Sequence, residues 1–182
     1  MITRKQFLRR AIDIATGVVA DAVEKRLPSE AIRTGLFPPG AVSGFSERCT
    51  SCGDCVDACP EAAIELTLDG PTGQLLPTIT PSRRPCAMCN DFPCIDSCGD
   101  GALAPPLANQ TLAIGVAHVQ EASCLAFNGS ACMICYDACP RKRTALILER
   151  NKPVVDASVC SGCGMCEFAC PIEKTGIVVG RI

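Results

Sequence analysis

The stretch Cys49 to Pro60, CTSCGDCVDACP, constrains this chain more than any other: its four cysteines stand two, two and three residues apart, and a proline follows the last. Three thiols separated by two residues lie on one tight loop and face a common centre. The longer three-residue step starts a helical turn and carries the fourth thiol away. That pattern ligates [4Fe-4S] clusters, with the fourth sulfur serving a different cluster from the first three. Pro60 ends the turn and removes a backbone donor there.

Three related sets follow. Cys86, Cys89, Cys94 and Cys98 are spaced two, four and three, with Pro93 in the longer gap and Gly99 where the other sets have proline. Cys124, Cys132, Cys135 and Cys139 are spaced seven, two and three, the first gap being stretched by Leu-Ala-Phe-Asn-Gly-Ser-Ala. Cys160, Cys163, Cys166 and Cys170 return to the first spacing, followed by Pro171. No cysteine of the sixteen is left over. A disulfide framework does not require cysteines in sets of four, whereas cluster ligation does. Zinc, and with it a zinc-binding interaction module, is the other metal alternative. A third cysteine two residues after a C-x2-C pair is unusual for a tetrahedral single-ion site.

Between the sets, Ala63 to Leu68 alternates as a strand, Asp69-Gly70-Pro71-Thr72-Gly73 turns, and Leu75 to Ile79 returns, which predicts a hairpin. Thr144 to Leu148 and Pro153 to Asp156 predict another, and Gly176 to Val179 a closing strand. The unit of cysteine loop, short helix and strand pair recurs at about 35 to 40 residues. The expected fold is α+β, tandem modules of short helices and hairpins around four [4Fe-4S] clusters. With 4 % aromatics and no tryptophan, a conventional core is thin, so ligation is expected to replace it and the iron-free chain to be largely unfolded.

Residues 1–46 read differently. Phe7, Leu8, Ile12, Ala15, Val18, Val19 and Ala22 have the spacing of an amphipathic helix. Arg4-Lys5 with Phe7-Leu8 gives a degenerate twin-arginine signal, but the uncharged stretch Ile14 to Ala20 is held between Asp13 and Asp21. A retained helix, and with it a cytoplasmic location, is the expectation; export to the periplasm is the alternative. Pro28, Gly35, Pro38, Pro39, Gly40 and Gly44 make residues 28–46 an irregular extended arm, lying across a partner or serving as a linker. The expected division is therefore 1–46, helix and arm, and 47–182, a four-cluster domain of two pseudo-repeated modules. No apolar run approaches the roughly 20 residues of a membrane span. The formal charge of -2 falls to about -10 once four clusters are counted with their thiolates, which argues against nucleic acid as a partner.

From about Pro38 to Val179 the sequence resembles the ferredoxin-type polyferredoxins of the NapG and MauM kind, found with periplasmic nitrate reductase and methylamine systems. The resemblance rests on Pro38-Pro39-Gly40-Ala41, Pro85-Cys86-Ala87-Met88-Cys89 with Pro93-Cys94, Gly101-Ala102-Leu103, and Cys124-Leu125 with Phe127 and Cys132. It implies bacterial-type ferredoxin modules and nested ligation: Cys49, Cys52 and Cys55 with Cys170; Cys160, Cys163 and Cys166 with Cys59; Cys86, Cys89 and Cys94 with Cys139; and Cys124, Cys132 and Cys135 with Cys98. Spacing alone equally fits a sequential arrangement, first set with second and third with fourth. The chain is also similar to four-cluster electron-transfer subunits of molybdenum and tungsten oxidoreductases. That implies a catalytic partner subunit, one candidate being a tungsten enzyme of the aldehyde ferredoxin oxidoreductase type such as class II benzoyl-CoA reductase, in anaerobic metabolism, with a soluble ferredoxin or another electron-transfer subunit on the other side. A free-standing polyferredoxin, or a donor carrying electrons from quinol to nitrate reductase, is the alternative.

No catalytic residue is expected. There is no nucleotide loop, and the single histidine, His118, sits among Val116, Ala117 and Val119 as a surface or packing residue. Tyr136 is expected to pack beside a cluster. Ala58, Ala62, Ala63, Ile64, Ile95, Ala138, Leu146 and Ile177 are the candidate dry walls, and Arg83-Arg84 and Arg141-Lys142-Arg143 are either charges that favour cluster reduction or solvated turns.

Overall fold

The computed structural model describes residues 35–69, 73–106, 112–172 and 176–182. The helix expected over residues 1–28 lies outside them. The compact unit runs Thr34–Ile182.

In this unit the elements are short because the cysteine loops interrupt every run. Helices α1 (Phe45–Arg48), α2 (Asp54–Asp57), α3 (Pro93–Asp96), α4 (Ile134–Ala138) and α5 (Met165–Phe168) have four or five residues each. An isolated helix needs about 12 to 15 residues to persist in water, so these are held by what they contact. Strands β1 (Ile64–Leu68) and β2 (Leu75–Ile79) form the first antiparallel hairpin, with Ile64 opposite Ile79 and Leu68 opposite Leu75. Strands β4 (Leu146–Glu149) and β5 (Lys152–Val155) form the second, turning through Arg150 and Asn151, both at positive φ. That conformation suits the two-residue turns that match strand twist. The third pair joins β3 (Val116–Val119) to the closing strand β6 (Ile177–Gly180), Val116 opposite Gly180 and Val119 opposite Ile177.

The β1 alternation places Ile64, Leu66 and Leu68 on one face, yet only Ile64 is buried; Leu66 and Leu68 overhang into solvent. On the other face Thr67 and Thr78 share a hydroxyl hydrogen bond at 2.8 Å.

Two apolar cores result. The first gathers Leu36, Phe45, Ile64, Leu76, Ile79, Ile95, Leu103 and Ile114, and the second Ala117, Leu146 and Ile177 with Cys135 and Cys166. Val179 packs against both. The first core takes in the described part of the segment expected to be an extended arm or linker, from residue 35 to residue 46. Leu36 exchanges two backbone hydrogen bonds with Ile79, at 2.8 and 2.7 Å, and is 1 % exposed. Pro38 and Pro39 are fully buried, which proline tolerates because it brings no N–H needing a partner. Val42 N–H donates to Ala102 and Ala104 N–H to Gly40, so residues 40–42 pair with 102–104 as β3 pairs with β6.

Candidate metal centres

Each set is built the same way. Its third cysteine is the second residue of a short helix: Cys55 in α2, Cys94 in α3, Cys135 in α4 and Cys166 in α5, all buried. The fourth, Cys59, Cys98, Cys139 or Cys170, follows at or just beyond the helix end. The stretched loop of the third set is tied by one side chain the sequence did not flag. Asn128 Nδ2 donates to the carbonyl oxygens of Cys124 at 2.8 Å and Glu121 at 3.1 Å, tying the seven-residue insertion back to the turn that precedes it.

The sulfurs line four hollows. Cys49, Cys52, Cys55 and Cys98 surround the first, Cys59, Cys86, Cys89 and Cys94 the second, Cys124, Cys132, Cys135 and Cys170 the third, and Cys139, Cys160, Cys163 and Cys166 the fourth. Counted with their open mouths they enclose about 340, 340, 320 and 360 Å³, close enough to suit one repeated occupant. The nested grouping is therefore not formed. Cys170 meets Cys124 rather than Cys49, and Cys98 meets Cys49 rather than Cys124, because the ends of each module pair with each other, through the β3–β6 ladder in one and the Ala41–Leu103 bridge in the other. The sequential grouping stands instead.

All sixteen cysteines carry free thiols. Burial, and then the neighbouring cysteines Cys49, Cys52, Cys94 and Cys98, push the Cys55 thiol up to about 12. Cys86 is likewise pushed to about 12, by burial first, against a lowering hydrogen bond from Met88 N–H. Cys94 and Cys135 rise to about 11, burial leading in both. Cys166 is raised strongly by burial and then by Cys163 and Cys160. Burial disfavours the thiolate at these positions, and a positive charge placed beside them would favour it, which is the condition for ligating iron. Among the described residues no group of three or more Cys, His, Asp or Glu side chains is arranged to hold a metal ion at its centre.

Backbone donors reach several sulfurs: Ala63 N–H to Cys59 Sγ at 3.4 Å, Met88 to Cys86 at 3.4 Å, Leu103 to Cys98 at 3.3 Å and Gly176 to Cys170 at 3.3 Å. Sequence reading missed these donors, whose positions depend on loop geometry. Of the expected walls, Ala63, Ile64, Leu146 and Ile177 line hollows. Arg83 is exposed and pairs with Glu65 at 2.9 Å, the solvated reading. Burial raises the Cys139 thiol, and the backbone N–H and the charge of Arg141 only partly offset it. Tyr136 packs on the second core, and His118 is exposed on β3. Glu167, inside α5 next to Cys166, is 4 % exposed and accepts Val179 N–H at 2.7 Å, tying the helix to β6.

The 4Fe-4S binding domain family matches residues 45–65 and 153–173, the first and last sets. The altered spacings of the middle two lie outside those matches. Over most of its length the chain is similar to the ferredoxin-type protein NapG of Escherichia coli, 35 % identical over 178 residues, covering 87 % of this chain and 77 % of that one. The methylamine utilization ferredoxin-type protein MauM of Methylobacillus flagellatus is 35 % identical over 172 residues, 87 % and 73 % of the two chains, and that of Paracoccus denitrificans 34 % over 168, 84 % and 75 %. The chain belongs to the NapG/MauM ferredoxin-type family. It has the α+β ferredoxin-like fold of an iron-sulfur electron-transfer protein with 4Fe-4S sites. Among its described residues no helix is long and apolar enough to cross a membrane.

Proposed function

We propose that this family member carries four [4Fe-4S] clusters, one in each hollow, and relays single electrons between a catalytic oxidoreductase subunit and a redox partner without catalysing a reaction itself. The four cysteine-lined hollows of nearly equal size carry this reading. A bound cluster supplies one-electron redox chemistry. The chain's own residues do the rest. Four sulfurs hold each site, backbone N–H groups at Ala63, Met88, Leu103 and Gly176 offset negative charge on sulfur, and Ile64, Ile79, Leu146 and Ile177 exclude water. These are the levers that set potential.

The catalytic partner is a molybdenum or tungsten oxidoreductase, a tungsten enzyme of the aldehyde ferredoxin oxidoreductase type, including class II benzoyl-CoA reductase, being one candidate in the cytoplasm. The likeness to NapG favours the second reading, a donor between quinol and nitrate reductase in the periplasm. Anaerobic purification of the untagged chain tests both levels. Brown protein with about four iron atoms per cysteine set is expected, and the co-purifying subunit names the partner. Colourless protein containing zinc would end the relay reading.

A further inference from the structure

The two modules meet backbone on backbone. Cys86 N–H donates to the carbonyl oxygen of Cys163 at 2.8 Å, and Ile114 N–H to that of Ser161 at 2.9 Å. Two glycines at positive φ make room. A Cβ on Gly162, at φ 68°, would fall 2.3 Å from the carbonyl oxygen of Gly115, and one on Gly164, at φ 88°, 2.4 Å from Pro81 Cβ. Both distances are far inside van der Waals contact, so any side chain there forces the loops apart and strains the backbone as well.

This seam joins the second hollow, which Cys86 lines, to the fourth, which Cys163 lines. Within the first module α2 packs against α3, placing the first hollow beside the second. Within the other, α4 packs against α5, placing the third beside the fourth. The spatial series is therefore first, second, fourth, third, which differs from the order of the sets along the chain.

We propose that Gly162 and Gly164 are positioning residues that hold the second and fourth hollows together, making the Cys86–Cys163 contact the one crossing point for electrons between the modules. The proposal rests on the four-cluster reading above. The crossing is a one-electron exchange in which one side is oxidised by one and the other reduced by one, with no bond made or broken and no proton moved. Tunnelling falls off exponentially with separation, so the pair of sites in contact dominates.

The test is electron paramagnetic resonance on the full-length, anaerobically purified chain reduced with dithionite. Neighbouring reduced clusters split each other's signals. In Cys160→Ala, which removes a donor of the fourth hollow, the third hollow's signal should lose its splitting while the first and second remain coupled. In Cys89→Ala, which disables the second, the first hollow's signal should become uncoupled while the third and fourth stay coupled. Gly164→Val, with iron content unchanged, should weaken only the coupling between second and fourth. A third-hollow signal still split in Cys160→Ala, with three clusters present by iron analysis, places the junction elsewhere and overturns the proposal. Unaltered coupling in a fully loaded Gly164→Val protein removes the role of the glycine. Absence of iron from the wild-type chain is a different result, and it defeats the cluster reading itself.

Discussion

In the second module the segments before the first cysteine loop and after the last form a ladder of four residue pairs, from Val116 with Gly180 to Val119 with Ile177. In the first module the equivalent segments touch at a single bridge, Ala41 with Leu103. The apolar cores run the other way. The first buries Leu36, Phe45, Leu76, Ile79, Ile95 and Leu103, and packs Phe37 at a tilt against Phe45 with ring centroids 4.5 Å apart. The second buries two large aliphatic side chains, Leu146 and Ile177, and otherwise alanine and cysteine. Backbone pairing and side-chain burial thus substitute for one another in holding two loops around two hollows. Where the ladder is short, Leu36, Pro38 and Pro39 come in from outside the repeat to fill the space.

Removing single donors breaks this comparison most sharply. Cys170→Ala should cost the third hollow its cluster, one quarter of the bound iron, and loosen the β3–β6 ladder while leaving residues 36–103 protected from hydrogen exchange. Disturbance around Cys49 instead would restore the nested grouping. A smaller effect comes from the cores. Leu36→Ala and Leu146→Ala should each destabilise by about 2 to 5 kcal/mol, because each leaves a cavity where a fully buried leucine stood. Thermal loss of cluster absorbance measures both. Hydrogen exchange should localise the first to residues 36–114 and the second to 116–180; equal spread through both modules would mean one cooperative unit rather than two. Smallest is Arg83→Ala, which removes an ion pair whose side chains are 69 % and 38 % exposed. It should shift stability by less than about 1 kcal/mol and leave reduction potentials unmoved. A potential shift in the second hollow would show that its charge reaches the cluster.

The hairpins β1–β2 and β4–β5 were legible because alternation and turn residues are local signals, and observed bounds differ from expectation by a residue or two. Strand β3 was not, since its four residues gain their identity from β6 far along the chain. Composition made residues 28–46 read as an extended arm or a linker, and it could not show that Pro38 and Pro39, which bring no N–H needing a partner, are buried in the same core as Leu36. All sixteen thiols were named from spacing alone. Their grouping was not readable, because spacing fixes which three sulfurs share a loop and leaves open which distant loop lends the fourth.

That lending has a consequence for biosynthesis. The third hollow is walled by Cys170, Gly176 and Ile177, and the fourth by Val179, all far along the chain from the first module. Both hollows of the first module have every thiol they need once Cys98 has been made. A chain emerging from the ribosome therefore presents the complete thiol sets of the first and second hollows before residues 160–179, which the third and fourth draw on, have been made.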